Sequence, residues 1–259
     1  MHAKKSYGQH FLKEETIAAR IAAGLCLADD TGLVLEVGPG TGMLTKHLLA
    51  RFGSEAVYAV EADRDMVAYL QQHYPQLGER LVLRDFLEFD PQAVFGERAF
   101  CLIGNFPYNI STQILFKMLD YRQQVPEMVG MFQKEVADRI VAPPGSKTYG
   151  ITSVLIQAHY QAEYLFTVEP GSFNPPPKVR SAVIRLTRKE NYELACDEKR
   201  FRLLVKTAFN QRRKMLRNTL KPFFSEEILM ADPFFEQRPE RLAWQDFERL
   251  ALMNADEIT

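Results

Sequence analysis

The chain has 259 residues, of which 46% are hydrophobic and 25% charged, and its formal net charge is −1. That length allows one large domain or a medium domain with a small companion, and the composition is ordinary for a globular protein with a sizeable core. The balanced charge gives no whole-chain sign of a polyanionic partner, and no apolar run approaches the roughly 20 residues of a membrane-spanning helix.

The first twelve residues read as a basic and polar arm carrying Lys4, Lys5, His10 and Leu12. Residues 14–27 follow with Ile17, Ile21 and Leu25 at helical spacing, until Asp29, Asp30 and Gly32 break the pattern. Val34–Val37 is a short apolar run that leads into Gly38-Pro39-Gly40-Thr41-Gly42 and a helix through Leu44 and Leu48. Val57–Val60 leads to Glu61 and a helix over about 65–73, and Leu81–Leu83 leads to Arg84-Asp85-Phe86. Phe100–Ile103 runs through Gly104 into Asn105-Phe106-Pro107-Tyr108 and a helix over 112–119, before a strand over 128–133 and a helix over 134–141. Strands alternating with helices at this spacing argue a parallel sheet with right-handed crossovers.

After the loop Pro143–Gly150, residues 151–160 are apolar and helical in pattern. Ala162–Val168 and Ser181–Leu186 read as an antiparallel pair closing the sheet, with a proline loop from Pro170 to Lys178 between them. From about Asn191 only helical periodicity remains. The expected fold class is therefore α/β, a Rossmann-like sheet with helices on both faces plus a small all-helical C-terminal domain, divided as 1–190 and 191–259. Cys26, Cys101 and Cys196 stand far apart without a C-x-x-C pair, and no secretory signal pattern opens the chain, so a cytoplasmic, reduced setting is expected. The five histidines show no ligand spacing, and no metal is expected. Monomer is the default oligomeric state.

Four successive strand ends carry candidate ligand groups. Glu36-x-Gly38-x-Gly40-x-Gly42 lets a ligand approach the backbone ahead of a helix N-terminus. Its spacing is not the G-x-G-x-x-G of dinucleotide folds and favours S-adenosylmethionine over a nicotinamide cofactor. Glu61, at the next strand end, can accept both hydroxyls of a ribose; a solvated carboxylate is the bland alternative. Asp85 can accept from an adenine amine with Phe86 beside the base, or can cap the segment that follows. Asn105 offers a side-chain carbonyl as acceptor, Pro107 fixes the bend and Tyr108 offers a ring, which suits a planar heterocycle bearing an exocyclic amine. Phe173 is either a loop anchor in the core or a second stacking ring. An extruded base needs aromatic faces, and Tyr108 and Phe173 are the candidates for the two sides.

The near-neutral average hides a segregation. Residues 199–221 carry nine Lys and Arg and no acid, whereas 222–259 carry nine acids against three Arg. On one continuous helix, Lys199, Arg202, Lys206, Arg213 and Arg217 would fall within about 60° of one another, opposite an apolar face of Phe201, Leu204, Val205 and Ala208. Arg212 falls inside the apolar arc, so either the helix breaks near Asn210 or Arg212 snorkels. A charge run is usually a solvated face; this acid-free length argues for a polyphosphate partner. Expected RNA contacts are Lys147, Lys178, Arg202, Lys206, Arg212, Arg213, Lys214 and Arg217, with Lys4 and Lys5 adding to them.

In order along the chain, Gly8-Gln-His-Phe-Leu12, Glu36-Val-Gly-Pro-Gly-Thr-Gly42, Asn105-Phe-Pro-Tyr-Asn-Ile110, Gln133-Lys-Glu-Val136, Phe173-Asn-Pro-Pro-Pro-Lys-Val179 and Phe209-Asn-Gln-Arg-Arg-Lys214 resemble the small-subunit ribosomal RNA adenine dimethyltransferase family. The resemblance covers about residues 7–221. It implies a class I methyltransferase domain, S-adenosyl-L-methionine as methyl donor, and dimethylation at N6 of two adjacent adenosines near the 3′ end of small-subunit ribosomal RNA within a pre-ribosomal particle. It implies cofactor contacts at His10, Leu12, Gly38, Gly40, Glu61, Asp85 and Asn105, and a catalytic group of Asn105, Phe106, Pro107, Tyr108 and Phe173. The family often has Asn where this chain has His10 and Leu where it has Phe106; the latter position is expected to act through its backbone carbonyl. Two other functions share these features: a large-subunit rRNA adenine methyltransferase of the antibiotic-resistance type, and an RNA-binding ribosome assembly factor whose methylation is secondary. A nicotinamide-dependent oxidoreductase is disfavoured by the glycine spacing and the lack of a catalytic acid pair.

Overall fold

The structure, a computed structural model, describes residues 10–191 and 193–253. The arm residues Lys4 and Lys5 lie outside them. The described strands are β1 (Phe11–Leu12), β2 (Val34–Val37), β3 (Val57–Glu61), β4 (Leu81–Leu83), β5 (Cys101–Asn105), β6 (Glu127–Gln133), β7 (Tyr160–Val168), β8 (Phe173–Asn174) and β9 (Ser181–Arg188). The described α-helices are α1 (Glu15–Ala23), α2 (Ala28–Thr31), α3 (Thr45–Phe52), α4 (Arg64–His73), α5 (Pro91–Phe95), α6 (Ser111–Asp120), α7 (Lys134–Val141), α8 (Ile151–His159), α9 (Glu198–Asn210), α10 (Leu216–Thr219), α11 (Glu226–Ala231) and α12 (Trp244–Leu252).

The chain divides into two compact units, one of Met1–Ala137 with Ala162–Arg188 and the other of Asp138–Gln161 with Lys189–Thr259. The first is built on a seven-stranded sheet of order β4-β3-β2-β5-β6-β9-β7. Strands β4, β3, β2, β5 and β6 pair in parallel, and β9 pairs antiparallel with β6. All four residues of β2 are buried, as a central strand covered on both faces requires. From β2 the chain winds out through β3 to β4, then returns to β5 on the other side. That reversal between β2 and β5 is where an open α/β sheet leaves a crevice at its carboxyl edge.

Helix α1 is shorter than the sequence pattern. It stops at Gly24, whose N–H bonds to the carbonyls of Arg20 and Ile21, and the N–H groups of Cys26 and Leu27 then donate to the buried Glu127 carboxylate at 2.9 and 2.8 Å. The end of the N-terminal arm is a strand rather than free chain. β1 pairs antiparallel with β8, in register Phe11 with Asn174 and Leu12 with Phe173.

In the second unit, α9 buries Phe201, Leu204, Val205, Ala208 and Phe209, so the apolar face expected from spacing is the one that packs. The Phe209 ring lies between Tyr149 and Phe247, at 6.3 and 6.0 Å between centroids. The break expected near Asn210 occurs: Gln211 ends α9 with non-helical φ −126° and ψ 58°. Arg213 and Arg217 therefore do not continue the face of α9, which corrects the single-helix stripe. Residues 138–161 also differ from the division at 190, because they belong to the second unit. Helix α8 buries Val154, Leu155, Ile156 and Ala158, and it packs on α9 and α12. A helix this apolar needs cover, and the alternation of strands and helices in the sequence does not say from where.

Candidate functional site

The glycine loop follows β2. Gly38, Gly40 and Gly42 all have positive φ, at 68°, 56° and 79°, a conformation that disfavours any residue with a Cβ. Space for a side chain is tight at Gly40 and lacking at Gly42. A Cβ on Gly40 would stand 3.1 Å from the Phe11 ring, and one on Gly42 would stand 2.3 Å from the Tyr74 ring. Tyr74 also donates its hydroxyl to the Gly42 carbonyl at 3.0 Å. Phe11 and Tyr74 thus clamp the loop, a role that spacing did not signal.

Two buried acids stand beneath it. Glu36 accepts from Thr45 Oγ1 at 2.7 Å. Burial pushes its carboxyl up to about 8, the Thr45 bond working the other way and the Glu61 charge adding to the rise. Glu61 accepts the Gly40 N–H at 3.0 Å on Oε2 and the Asp63 N–H at 2.9 Å on Oε1. Burial raises its carboxyl too, against those backbone bonds. Glu61 thus ties the end of β3 to the glycine loop and retains further lone pairs on both oxygens. A carboxyl whose folded pKa lies above its unfolded value stabilises the fold below that unfolded value, and the contribution is lost as pH rises through the folded one. Replacing Glu36 by Gln keeps an acceptor for Thr45 and removes the titration. Glu36→Gln is expected to gain in melting temperature over wild type between about pH 5 and about pH 8; a difference constant across that range contradicts the assignment.

At the end of β4, Asp85 Oδ1 accepts the Leu87 N–H at 2.9 Å, and the Asp85 carbonyl accepts from Glu88 and Phe89. Asp85 therefore closes a turn, while the helix that follows takes Asp90 as its N-cap, and the turn engages one carboxylate oxygen of Asp85. Lys117 on α6 holds the same turn from behind. Its Nζ donates to the Leu87 carbonyl at 2.9 Å and to the Phe89 carbonyl, and lies 5.3 Å from the Phe86 ring centroid. Burial lowers the Lys117 pKa, with Asp90, Asp85 and Asp120 opposing.

Asn105 ends β5. Its Nδ2 donates to the His10 carbonyl at 3.1 Å, which fixes the amide and leaves Oδ1 as its acceptor. The Phe106 ring turns into the core, 5.1 Å from Phe132. It fits there because residues 104 and 130 are glycine; a Cβ on Gly130 would lie 2.2 Å from Phe106 Cε2. Tyr108 Oη lies 2.5 Å from Ser181 Oγ. Its ring stacks on the His10 imidazole at 5.4 Å and 30°, and His10 Nδ1–H donates to the Pro175 carbonyl at 2.8 Å.

These strand ends line one cavity of about 260 Å³. It brings together His10, Leu12, Gly38, Gly40, Glu61, Asp85, Asn105, Phe106, Pro107 and Tyr108, with Phe11 and Phe86 on its apolar wall. Phe173 is not among them. It is 1% exposed and sits in the core cluster with Leu12, Ile21 and Val168. This corrects its expected place as the opposing stacking face: pairing of β8 with β1 commits it as the loop anchor.

The basic residues are also sorted by structure. Lys178 in the first unit and Lys147, Lys206, Arg213 and Lys214 in the second are exposed, with no carboxylate partner among the described residues. Three others have acids brought to them. Arg202 bonds Glu198 at 2.7 Å, Arg217 bonds Glu236 at 3.2 Å, and Arg212 stands 3.9 Å from Glu240 while donating to the Ser146 carbonyl. The stretch is acid-free in sequence and not in space. Among the described residues no group of three or more His, Cys, Asp or Glu could hold a metal ion.

Residues 1–235 match the family described as ribosomal RNA adenine dimethylase. The chain is 53% identical over 248 residues to ribosomal RNA small subunit methyltransferase A of Phocaeicola vulgatus, covering 95% of this chain and 88% of that protein. It is 52% identical over 252 residues to the protein of the same name from Parabacteroides distasonis, covering 97% and 93%. Among solved structures, a dimethyladenosine transferase from Plasmodium falciparum superposes at TM-score 0.74 with 25% identity, over 93% of this chain and 96% of that one. The 23S rRNA methyltransferase ErmE shares the fold at TM-score 0.68 with 23% identity, over 93% and 99%.

Proposed function

This chain belongs to the ribosomal RNA adenine dimethylase family, and from that premise we propose that its cavity methylates N6 of two adjacent adenosines near the 3′ end of small-subunit ribosomal RNA. The chain is an S-adenosylmethionine-dependent rRNA adenine dimethyltransferase of the class I fold. One observation carries the site assignment: glycine loop, Glu61, Asp85 and Asn105 stand at the carboxyl ends of four adjacent parallel strands around a single cavity.

The residues fit the methyl donor. Glu61 is a buried acceptor whose oxygens have lone pairs to spare for ribose hydroxyls. Asp85 uses one oxygen for its turn and has the other for an adenine amine, beside the Phe86 ring. The glycine loop admits a ligand against its backbone. When bound, the cofactor supplies a methyl already activated by its sulfonium charge.

The target amine needs help because its lone pair is delocalised into the purine. Asn105 Oδ1 and the Phe106 carbonyl accept its N–H groups and favour a pyramidal nitrogen with an available lone pair. Pro107 holds the bend, and Tyr108 offers a ring face to the extruded base. As nitrogen takes the methyl and the carbon–sulfur pair stays on sulfur, the resulting ammonium is acidic and loses its proton to water. Alignment supplies most of the remaining rate, and no strong general base is required.

The RNA is presented within a pre-ribosomal particle, and the helical C-terminal unit supplies phosphate contacts together with Lys178 of the first unit. The enzyme acts as a cytoplasmic monomer; among the described residues no helix is long and apolar enough to cross a membrane. Incubation with labelled S-adenosylmethionine and unmethylated small or large subunits, followed by mapping of the label, tests the assignment. Label is expected on two adjacent adenosines of the small subunit. Label on large-subunit RNA instead would establish the antibiotic-resistance type of activity, and ribosome association without label would leave an assembly factor. For the cofactor wall, Lys117→Met keeps the stem and removes the donors to the Leu87 and Phe89 carbonyls. It is expected to weaken S-adenosylmethionine binding about 3- to 10-fold in calorimetry, the scale of one net hydrogen bond. Unchanged affinity would show that the turn needs no such support.

A further inference from the structure

Ser181 opens β9, paired with Gln133 at the end of β6. It is fully buried, and its Oγ lies 2.5 Å from Tyr108 Oη. The strand register asks nothing of this side chain, since the ladder is a backbone matter and alanine would fill the position. A buried hydroxyl is costly unless it is bonded, and here two hydroxyls satisfy one another.

The consequence falls on the Tyr108 ring. Burial holds its phenol above the usual range, so it stays protonated, the Ser181 bond working the other way. With its hydroxyl engaged at Ser181, Tyr108 offers the base a ring face and no polar group. The terminal torsion of a tyrosine is broad, so packing near Cβ does not fix the ring plane. The Ser181 bond is made at an atom on the axis of that torsion, so it fixes where the axis points and where the ring sits. His10 bounds the ring on one face, at 5.4 Å.

We propose that Ser181 is a positioning residue, whose hydroxyl holds in place the Tyr108 ring on which the target adenine stacks. This rests on the assignment of Tyr108 as the stacking ring. It extends to the second methyl transfer. After the first, the nitrogen has exchanged one N–H for a methyl, so the acceptors at Asn105 and Phe106 have one bond fewer to hold it. In each transfer the nitrogen lone pair forms the new N–C bond, the C–S pair leaves with sulfur, and one proton leaves the nitrogen. Only the alignment differs, and in the second transfer more of it falls to stacking. A loosened ring therefore slows the second transfer more than the first.

The test is a double-mutant cycle of Ser181→Ala, Tyr108→Phe and their combination, assayed on unmethylated small subunits with nucleoside products resolved by mass spectrometry. Each single variant is expected to slow the second transfer about 5- to 10-fold, in line with loss of one buried hydrogen bond, and to accumulate N6-monomethyladenosine. Cofactor affinity stays at the wild-type value, and the double variant is no worse than the poorer single one. Tyr108→Phe removes the same bond with the loss of one oxygen, so it keeps the test open if Ser181→Ala folds poorly. Multiplicative losses in the double variant, or an unchanged ratio of mono- to dimethyl product, overturn the proposal. Tyr108→Ala separates the two layers. If it lowers turnover while Ser181→Ala and Tyr108→Phe do not, the stacking role stands and the positioning role falls. If it leaves turnover unchanged, the stacking assignment itself fails.

Discussion

Asn105→Ala is expected to lower the rate of methyl transfer by about two to three orders of magnitude, the range seen when one preorganised polar group is removed from a developing charge. RNA affinity should stay within about threefold of wild type, because affinity for RNA comes chiefly from phosphate contacts. The separation follows from where the bond is realised. In the ground state the adenine amine is planar and its hydrogens can be satisfied by water. As the nitrogen pyramidalises and gains positive charge, its hydrogens become stronger donors, so an acceptor at Asn105 Oδ1 binds the transition state more tightly than the substrate. Loss of such an interaction lowers kcat and kcat/KM together. The structure adds a second expectation. Asn105 Nδ2 donates to the His10 carbonyl at 3.1 Å, so Asn105→Asp would keep an acceptor for the amine but place a carboxylate oxygen against that carbonyl. Asp should therefore be defective, less so than Ala. Single-turnover transfer at saturating cofactor, beside filter binding of the same RNA, reads both quantities. Equal losses in rate and affinity for Asn105→Ala would remove its catalytic role and make it an RNA contact.

The cavity was legible wherever a chemical group and its placement are both local. A short apolar run followed by a polar residue marks a strand end, and that pattern alone lines up the glycine loop, Glu61, Asp85 and Asn105. Groups that depend on pairing between distant segments were not legible. Phe173 in its proline loop reads equally as anchor or stacking ring, and only the pairing of residues 11–12 with 173–174 decides it. Lys117 looks like a solvated lysine on a helix, yet its ammonium holds the turn that carries Asp85 and Phe86. Gly130 looks like a weak point in an apolar strand, and its reason is the Phe106 ring. The basic stretch shows the same limit for charge. Acids 19 and 28 residues away in the sequence, Glu236 and Glu240, reach Arg217 and Arg212 in the fold.

That sorting of charge makes a graded expectation for RNA binding. Reversing Arg213 and Lys214 together, as Arg213→Glu with Lys214→Glu, should weaken binding by about 30- to 100-fold at low salt. It should also flatten the dependence of log affinity on log salt by about 1.5, the loss of roughly two phosphate contacts. Both side chains are exposed in the turn that follows α9, and neither has a carboxylate partner among the described residues, so their charge is available to a polyanion. Arg217→Glu should do less than Arg213→Glu measured alone. Its guanidinium already bonds Glu236 at 3.2 Å, and a half-exposed pair of this kind is worth little to the fold but does offset the charge an RNA would meet. The comparison discriminates because a uniform basic stripe, as a continuous helix would present, predicts similar losses at 213 and 217. Equal effects at the two sites would restore the stripe as the working surface. An unchanged salt slope for Arg213→Glu with Lys214→Glu would mean that this turn is a solvated face, and that the phosphate contacts lie with Lys178 and the arm instead.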